Sequence, residues 1–394
     1  MRKALKTFAV SVLFDFFAHD SGLTFGCCCF LIIFNANDIL LSDRMPQIIV
    51  LSIILFGRKN MAVLKNKPQK DGNVYIPFEK RTGDFSTVYF TRDLSPEGLE
   101  KVFDRVKDNI VGKTAIKLHT GEKNGPNIIP SSWIEELMKS EPELADAAIV
   151  ETNTYYEGDR YTTEQHRETL KVNGWTFCPV DIMDEEGTKL LPIKGGKWMK
   201  EMSVGSHMTD YNSLVVMTHF KGHTMGGFGG SNKNIGIGCA DGRIGKKWIH
   251  SRKGLGMWSI AQEELMERIS ESTKATIDFF GEHVSYVNVM RNMSVSCDCE
   301  GCSAEPVVTP NVGILASKDI LAIDQASVDL IYAMKPDDRE ALVKRIESRH
   351  GLRQLSYMKE LGMGNDLYKL IDIDNGDAEI SCEEAVKDVT PFVY

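Results

Sequence analysis

Two short stretches of this sequence carry residues whose types and spacing can do chemistry. The first, HFKGHTMGGFGGSNK at 219–233, sets His219, His223 and Lys233 around Gly226, Gly227, Gly229 and Gly230, directly after the apolar run 214–217. Glycines permit positive φ and carry no side chain to obstruct a ligand. Successive N–H groups in such a turn can form an anion nest. Lys233 supplies a point charge for phosphate or carboxylate, or a nucleophile if its pKa is depressed. Asn232 stands where a Walker A loop has the glycine before its lysine, and GxGxxG is not matched either. An ordinary loop rich in small residues is the alternative for this stretch alone. His250, in KKWIHS, adds a third histidine, and three histidines with a lysine suit acid–base chemistry or metal ligation.

The second stretch is Ser296-Cys297-Asp298-Cys299-Glu300-Gly301-Cys302. Thiolates spaced C-x-C-x2-C suit zinc, iron or an iron–sulfur cluster, and Gly301 allows a tight turn. A complete cluster wants four ligands. Cys239, Cys178, Cys382 or a histidine would supply the fourth, and the expected metal set is Cys297, Cys299, Cys302 and Cys239. The run of a two-cluster ferredoxin is absent.

The elements that must position these residues follow an alternating pattern from about residue 86. Short β-branched runs predict strands at 87–91, 114–118, 147–151, 214–218, 285–289 and 312–316. Amphipathic stretches predict helices at 96–108, 131–140, 162–173, 259–280, 324–333 and 337–349. The fold class expected is α/β, a mostly parallel sheet with flanking helices, in one body or in two lobes around a cleft and loosely divided near 195. Polar residues cluster just after the strands: His119-Thr120-Gly121-Glu122, Thr152-Asn153-Thr154, His219 to His223, Arg291-Asn292 and Ser317-Lys318-Asp319. Ligands bind at the carboxyl ends of parallel strands, so these ends are expected to share one crevice. His119, His219, His223, His250 and Lys233 are the expected catalytic residues. Gly226, Gly227, Gly229, Gly230, Lys233 and Asn234 are the expected cofactor-binding residues. Asp319 and Asp324 are candidate carboxylate partners, with Asp324 alternatively capping the helix that follows it.

With 394 residues the chain can bury a sizeable core, and its formal net charge of −9 offers no basic excess for nucleic acid. Nine cysteines in clusters and singletons read as a reduced, cytoplasmic protein rather than a secreted disulfide framework. Residues 1–60 begin with Arg2, Lys3 and Lys6 and hold apolar runs at 22–34 and 48–56, each short of the roughly 20 residues that span a bilayer. A membrane anchor and a cleaved signal are weighed, but the preferred reading is an extension foreign to the fold, with Met61 as the start. The organised domain is placed at 86–374 and a tail at 375–394.

The stretches VYFTRDLSPEGLEKVF, KLHTGEKNGPN, VETNTYYEG, VDIMDEEG, THFKGHTMGGFGGSNKNIGIGCA, YVNVMRNMSVSCDCEGC and GILASKDILAIDQASVDLIY resemble the uncharacterised Fe-S center protein family, domain of unknown function 362. That resemblance covers about 87–374 and implies an iron–sulfur (4Fe-4S) centre. Many relatives add a ferredoxin-like cysteine run, which this chain lacks. The opening stretch alone is similar to the lactate racemase family. There a lysine tethers a nickel pincer nucleotide and histidines ligate the metal or transfer protons. This would give Lys233 the tether and His223 and His250 the other roles. The expected function is therefore a metal-centre protein, with iron–sulfur the expected centre, of unknown reaction. The alternative is an enzyme on a small anionic substrate, such as a 2-hydroxy acid racemase-like protein, and a binding module without turnover is the third reading. A small anionic ligand and a redox partner protein are the expected partners, with neither nucleic acid nor membrane among them.

Overall fold

The computed structural model describes residues 8–10, 32–34 and 72–392. The chain divides into two units, residues 1–68 and 69–394. In the first, Phe8–Val10 pairs antiparallel with Ile32–Phe34. The expectation that residues 1–60 are foreign to the fold otherwise lies outside the described residues.

The second unit is organised on one nine-stranded sheet with two added hairpins. In chain order the strands are β1 (Phe85–Thr91), β2 (Thr114–Lys117), β3 (Ala148–Glu151), β4 (Val180–Ile182), β5 (Thr188–Pro192), β6 (Glu201–Gly205) and β7 (Ser213–His219). They continue as β8 (Lys221–His223), β9 (Gly227–Gly229), β10 (Val284–Met290), β11 (Gly313–Ser317), β12 (Leu367–Asp372) and β13 (Ala378–Ile380). The sheet order is β13-β12-β1-β11-β10-β7-β2-β3-β4, while β5–β6 and β8–β9 pair separately. Strands β10, β7, β2, β3 and β4 are mutually parallel. Strand β11 runs against both of its neighbours, and β13 runs against β12. The result is the largely parallel α/β sheet that the alternating pattern predicts.

Strand β7 shows why the sheet is covered on both faces. All its residues are buried, with Leu214 and Val216 in one apolar cluster and Val215 and Met217 in the other. A side-chain period of two with both phases apolar is how a doubly covered strand reads. Helices α1 (Pro96–Phe103), α2 (Ser131–Ser140) and α3 (Thr163–Val172) contribute to the second cluster. Helices α4 (Ser231–Gly238), α5 (Gly245–His250), α6 (Glu263–Phe280) and α7 (Ile320–Ala333) contribute to the first. In α1 the Gly98 N–H donates to the Ser95 Oγ cap at 3.1 Å, Pro96 opens the first turn, and Leu99, Val102 and Phe103 are buried. Each such side chain contributes roughly 1.5–3 kcal/mol.

Three expectations need correction. Because β11 is antiparallel, Ser317-Lys318-Asp319 leave the sheet at the end opposite the crevice. Asp324 does not cap α7; Asp319 does, accepting the Ala322 N–H at 2.9 Å. The stretch after β7 is a β8–β9 hairpin, with Lys221 opposite Gly229 and His223 opposite Gly227, and α4 starts directly after it. Among the described residues no helix is long and apolar enough to cross a membrane.

Candidate functional site

The parallel strands β2, β3, β7 and β10 all end at one edge of the sheet, and their exits carry the polar residues of the site. At its base lies a buried charge system. Lys117 Nζ donates to Glu151 Oε2 at 2.9 Å, and Thr120 donates to Glu151 Oε1 through its N–H at 3.0 Å and its hydroxyl at 3.1 Å. Burial alone would raise the Glu151 pKa, but Lys117 and Arg160 outweigh it and hold the carboxylate well below its usual range. Arg160 in turn donates to Glu122 Oε1 at 2.8 Å, and the Tyr156 hydroxyl donates to the same oxygen at 2.7 Å. The loop after β3, which carries Tyr156 and Arg160, is thereby tied to the exit of β2.

Above this base sits Cys297. Gly222 makes the approach of its loop possible: its N–H donates to the Ser294 carbonyl at 2.8 Å, and a Cβ there would lie 2.5 Å from Val295. Cys297 is 1 % exposed and accepts the Cys299 N–H at 3.4 Å at the start of a 3-10 helix, Asp298–Ser303. The Cys299 thiol, Lys233, His223 and His119 together hold Cys297 well below the usual thiol range, as a thiolate. That thiolate and burial drive Cys299 the opposite way. One ligating atom each from His223, Cys297 and Cys299 lie within 4.8 Å of one another.

Hydrogen bonds sort the histidines. His219 is fully committed: Nδ1 faces Asp298 Oδ2 at 2.9 Å and Nε2 faces the Arg291 carbonyl at 2.7 Å, both acceptors. Both ring nitrogens are therefore engaged within the protein and neither is turned toward Cys297. His119 Nδ1 accepts the Gly121 N–H at 2.9 Å. His223 Nδ1 accepts from Met225 at 3.1 Å and Gly226 at 2.8 Å. Both rings thus carry their proton on Nε2, and both interact with the Cys297 sulfur. His250 is the reverse: its Nδ1 donates to the Lys246 carbonyl at 2.8 Å, leaving the Nε2 lone pair free, and burial lowers its pKa to about 3. Trp258 meets His250 edge-on at 4.9 Å between ring centroids, and Tyr155 packs against both, 5.6 Å from Trp258 and 6.4 Å from His250. Lys233 is half-buried, acts electrostatically on His223, His250, Cys297 and Cys299, and has no hydrogen-bond or ion-pair partner among the described residues.

The glycines do other work. The N–H groups opening α4 are already taken: Ser231 donates to Asp324 Oδ1 at 2.7 Å and Asn232 to Asp324 Oδ2 at 2.9 Å. A Cβ on Gly230 would lie 2.4 Å from that carboxylate. Gly226, Gly227 and Gly229 are buried in the hairpin, and Asn234 Nδ2 donates to the Met217 carbonyl at 3.1 Å and to Thr218 Oγ1 at 2.9 Å. Of the expected cysteines, Cys302 is exposed with its thiol toward the Asn124 carbonyl at 3.4 Å. Cys239 is buried just after α4, near Lys117, Glu151 and Lys246. Among the described residues, the ligating atoms at this site that lie within 4.8 Å of one another come from His223, Cys297 and Cys299, without Cys302 or Cys239.

The same region sets an acid limit on stability. His166 Nδ1 faces Asn153 Oδ1 at 3.3 Å, while Nε2 is buried without a partner among the described residues, and burial lowers the pKa to about 3. The unfolded chain takes up these protons near pH 6.5, but the folded protein keeps His166 and His250 neutral down to about pH 3. More protons bound by the unfolded state means that stability falls as pH falls through that window. Asp324, raised to about 6 by burial, opposes this over a narrower range. Net loss of about 1–2 kcal/mol per pH unit is expected between pH 6 and 4 in urea titrations, and His166→Asn should flatten the slope.

Solved structures with some likeness include the lactate racemase apoprotein from Thermoanaerobacterium thermosaccharolyticum, 13% identical, with 80% of this chain and 88% of that one covered at a TM-score of 0.33. Another is a protein from Thermotoga maritima, 13% identical, covering 66% of this chain and 57% of that one at 0.34. Likeness at that level says nothing of function. No curated protein sequence matches the chain. The profile described as Domain of unknown function (DUF362) does match, over residues 114–329, more than half of the chain and all of the strands that frame the site: the protein belongs to the DUF362 family.

Proposed function

We propose that this protein is a metal-centre protein in which Cys297, Cys299 and His223 hold one ion, and Lys233 holds the anionic end of a small ligand beside it. The observation that carries the reading is the convergence of those three ligating atoms within 4.8 Å of one another. Separations of that size suit bonds of roughly 2.3 Å to sulfur and 2.0–2.1 Å to nitrogen around one ion. Two soft thiolates favour zinc, iron, nickel or copper over magnesium or calcium. Three protein ligands leave a coordination position open, as catalytic rather than structural sites do. A bound ion would act there as a Lewis acid on an oxygen of the ligand. Lys233, without an ion-pair partner among the described residues, is the group that would bind and orient that ligand's negative charge. The free His250 Nε2 lone pair supports assigning that ring as the acceptor of a proton from the ligand. The residues expected for a lysine-tethered nickel nucleotide, Lys233, His223 and His250, also stand together, and an adduct on Lys233 would appear as added mass on the intact protein.

A second reading rests on His223. Its Nδ1 accepts two main-chain N–H groups, so a metal at Nε2 must displace the ring's proton. In the metal-free protein His119 and His223 instead support Cys297 as a bare thiolate nucleophile. Anaerobic purification followed by elemental analysis separates the two. A stoichiometric transition metal that a His223→Ala variant loses supports the metal centre. A metal-free protein alkylated rapidly at Cys297 supports the thiolate.

A further inference from the structure

The residue between the two cysteines carries a role that its neighbours define. Asp298 does not face the metal-binding atoms. Its carboxylate is 3 % exposed and receives Lys221 Nζ at 2.8 Å and His219 Nδ1 at 2.9 Å, the latter anchored at its far side by the Arg291 carbonyl. Lys221 and His219 come from β8 and the end of β7, so the link pins the cysteine loop to the edge of the sheet. Lys221 is itself buried and feels the charge of both Cys297 and Cys299.

We infer that Asp298 is a positioning residue for the metal site: by engaging Lys221 it keeps a buried ammonium off the two thiolates, leaving their lone pairs for the ion. This rests on the metal-centre reading above. Without the carboxylate, Lys221 has no other carboxylate among its described ion-pair partners and would turn to the sulfurs. It would then compete with a divalent cation and repel it at short range. A purely structural tether would give a different result, because it would not be relieved by removing a second group.

The test is titration of the reduced full-length protein with cobalt(II) alone under anaerobic conditions, read by sulfur-to-cobalt charge-transfer absorption. The variants are Asp298→Asn, Lys221→Met and the two combined. Asp298→Asn is expected to raise the Kd for cobalt at least about tenfold. The double variant should recover to within about threefold of wild type, since removing the ammonium removes the competitor. Equal affinity in wild type and Asp298→Asn, or a double variant no better than the single, overturns the inference. Circular dichroism and thermal unfolding accompany each variant. If Asp298→Asn does not fold, the charge-balanced double variant decides, with wild-type affinity supporting the inference and lost affinity refuting it. Failure of the wild type to bind cobalt at all is a different result: it brings down the metal-centre reading, and this inference with it.

Discussion

Replacing Cys297 with alanine is expected to weaken metal binding by on the order of 100-fold or more, while Cys302→Ala and Cys239→Ala leave it almost unchanged. The contrast follows from where the sulfurs lie. Cys297 is buried among His119, His223, Lys233 and Cys299, all of which act on its charge. Cys302, five residues further on, is exposed and turned toward the Lys123 and Asn124 carbonyls. Cys239 is buried beside Lys117 and Glu151, and burial pushes its thiol up to about 12. A thiol that lies apart from the other donors contributes little as a ligand. Cys299→Ala should resemble Cys297→Ala in metal content, because two thiols and one imidazole cannot lose a sulfur without losing most of their selectivity for soft ions. Equal losses from Cys239→Ala and Cys297→Ala would instead indicate a cluster that draws on both.

The second large effect belongs to the base of the site. Lys117→Met should destabilise the protein by about 3–5 kcal/mol in urea unfolding, the usual cost of leaving a buried charge without its partner. Lys117 and Glu151 are 1 % and 4 % exposed, and the partner left behind is anchored by Thr120 as well. Arg160, 3.8 Å from Glu151, compensates only in part. By contrast, Lys101→Met removes the exposed pair with Asp93 and should leave the unfolding midpoint where it is. Since Glu151 also receives the Thr120 N–H, its displacement should shift His119 too, so metal affinity is expected to fall along with stability.

Much of the scaffold is legible in the sequence. The six strands expected from β-branched runs all form, because a buried parallel strand has to be apolar on both faces and so stands out from its surroundings. Their directions are less legible. Nothing local marks β11 as antiparallel, and this is why Ser317-Lys318-Asp319 were expected at the wrong end of the sheet. The hairpin after β7 was concealed by glycine, which weakens strand propensity while permitting the close contacts that the hairpin makes. Gly230 illustrates this: it looks like half of an anion nest, but the anion it accommodates is the protein's own Asp324. Lys117 and Glu151 did leave a signal, as charges at the ends of otherwise apolar strands. Arg160 left none, since one arginine in a polar loop reads like any other. Asp298 was visible only as an acidic neighbour of cysteines, and its pairing with His219 and Lys221 depends on the sheet bringing residues 79 positions apart together.

The central claim is that two cysteine sulfurs and one histidine nitrogen of this chain hold a single ion. X-ray absorption at the metal edge of anaerobically purified or zinc-reconstituted protein tests it most directly. Two sulfur scatterers near about 2.3 Å and one nitrogen near about 2.0 Å, completed by a light atom from water or ligand, are predicted. A metal–metal vector with four sulfur neighbours, or a protein that takes up no metal at all, would contradict it.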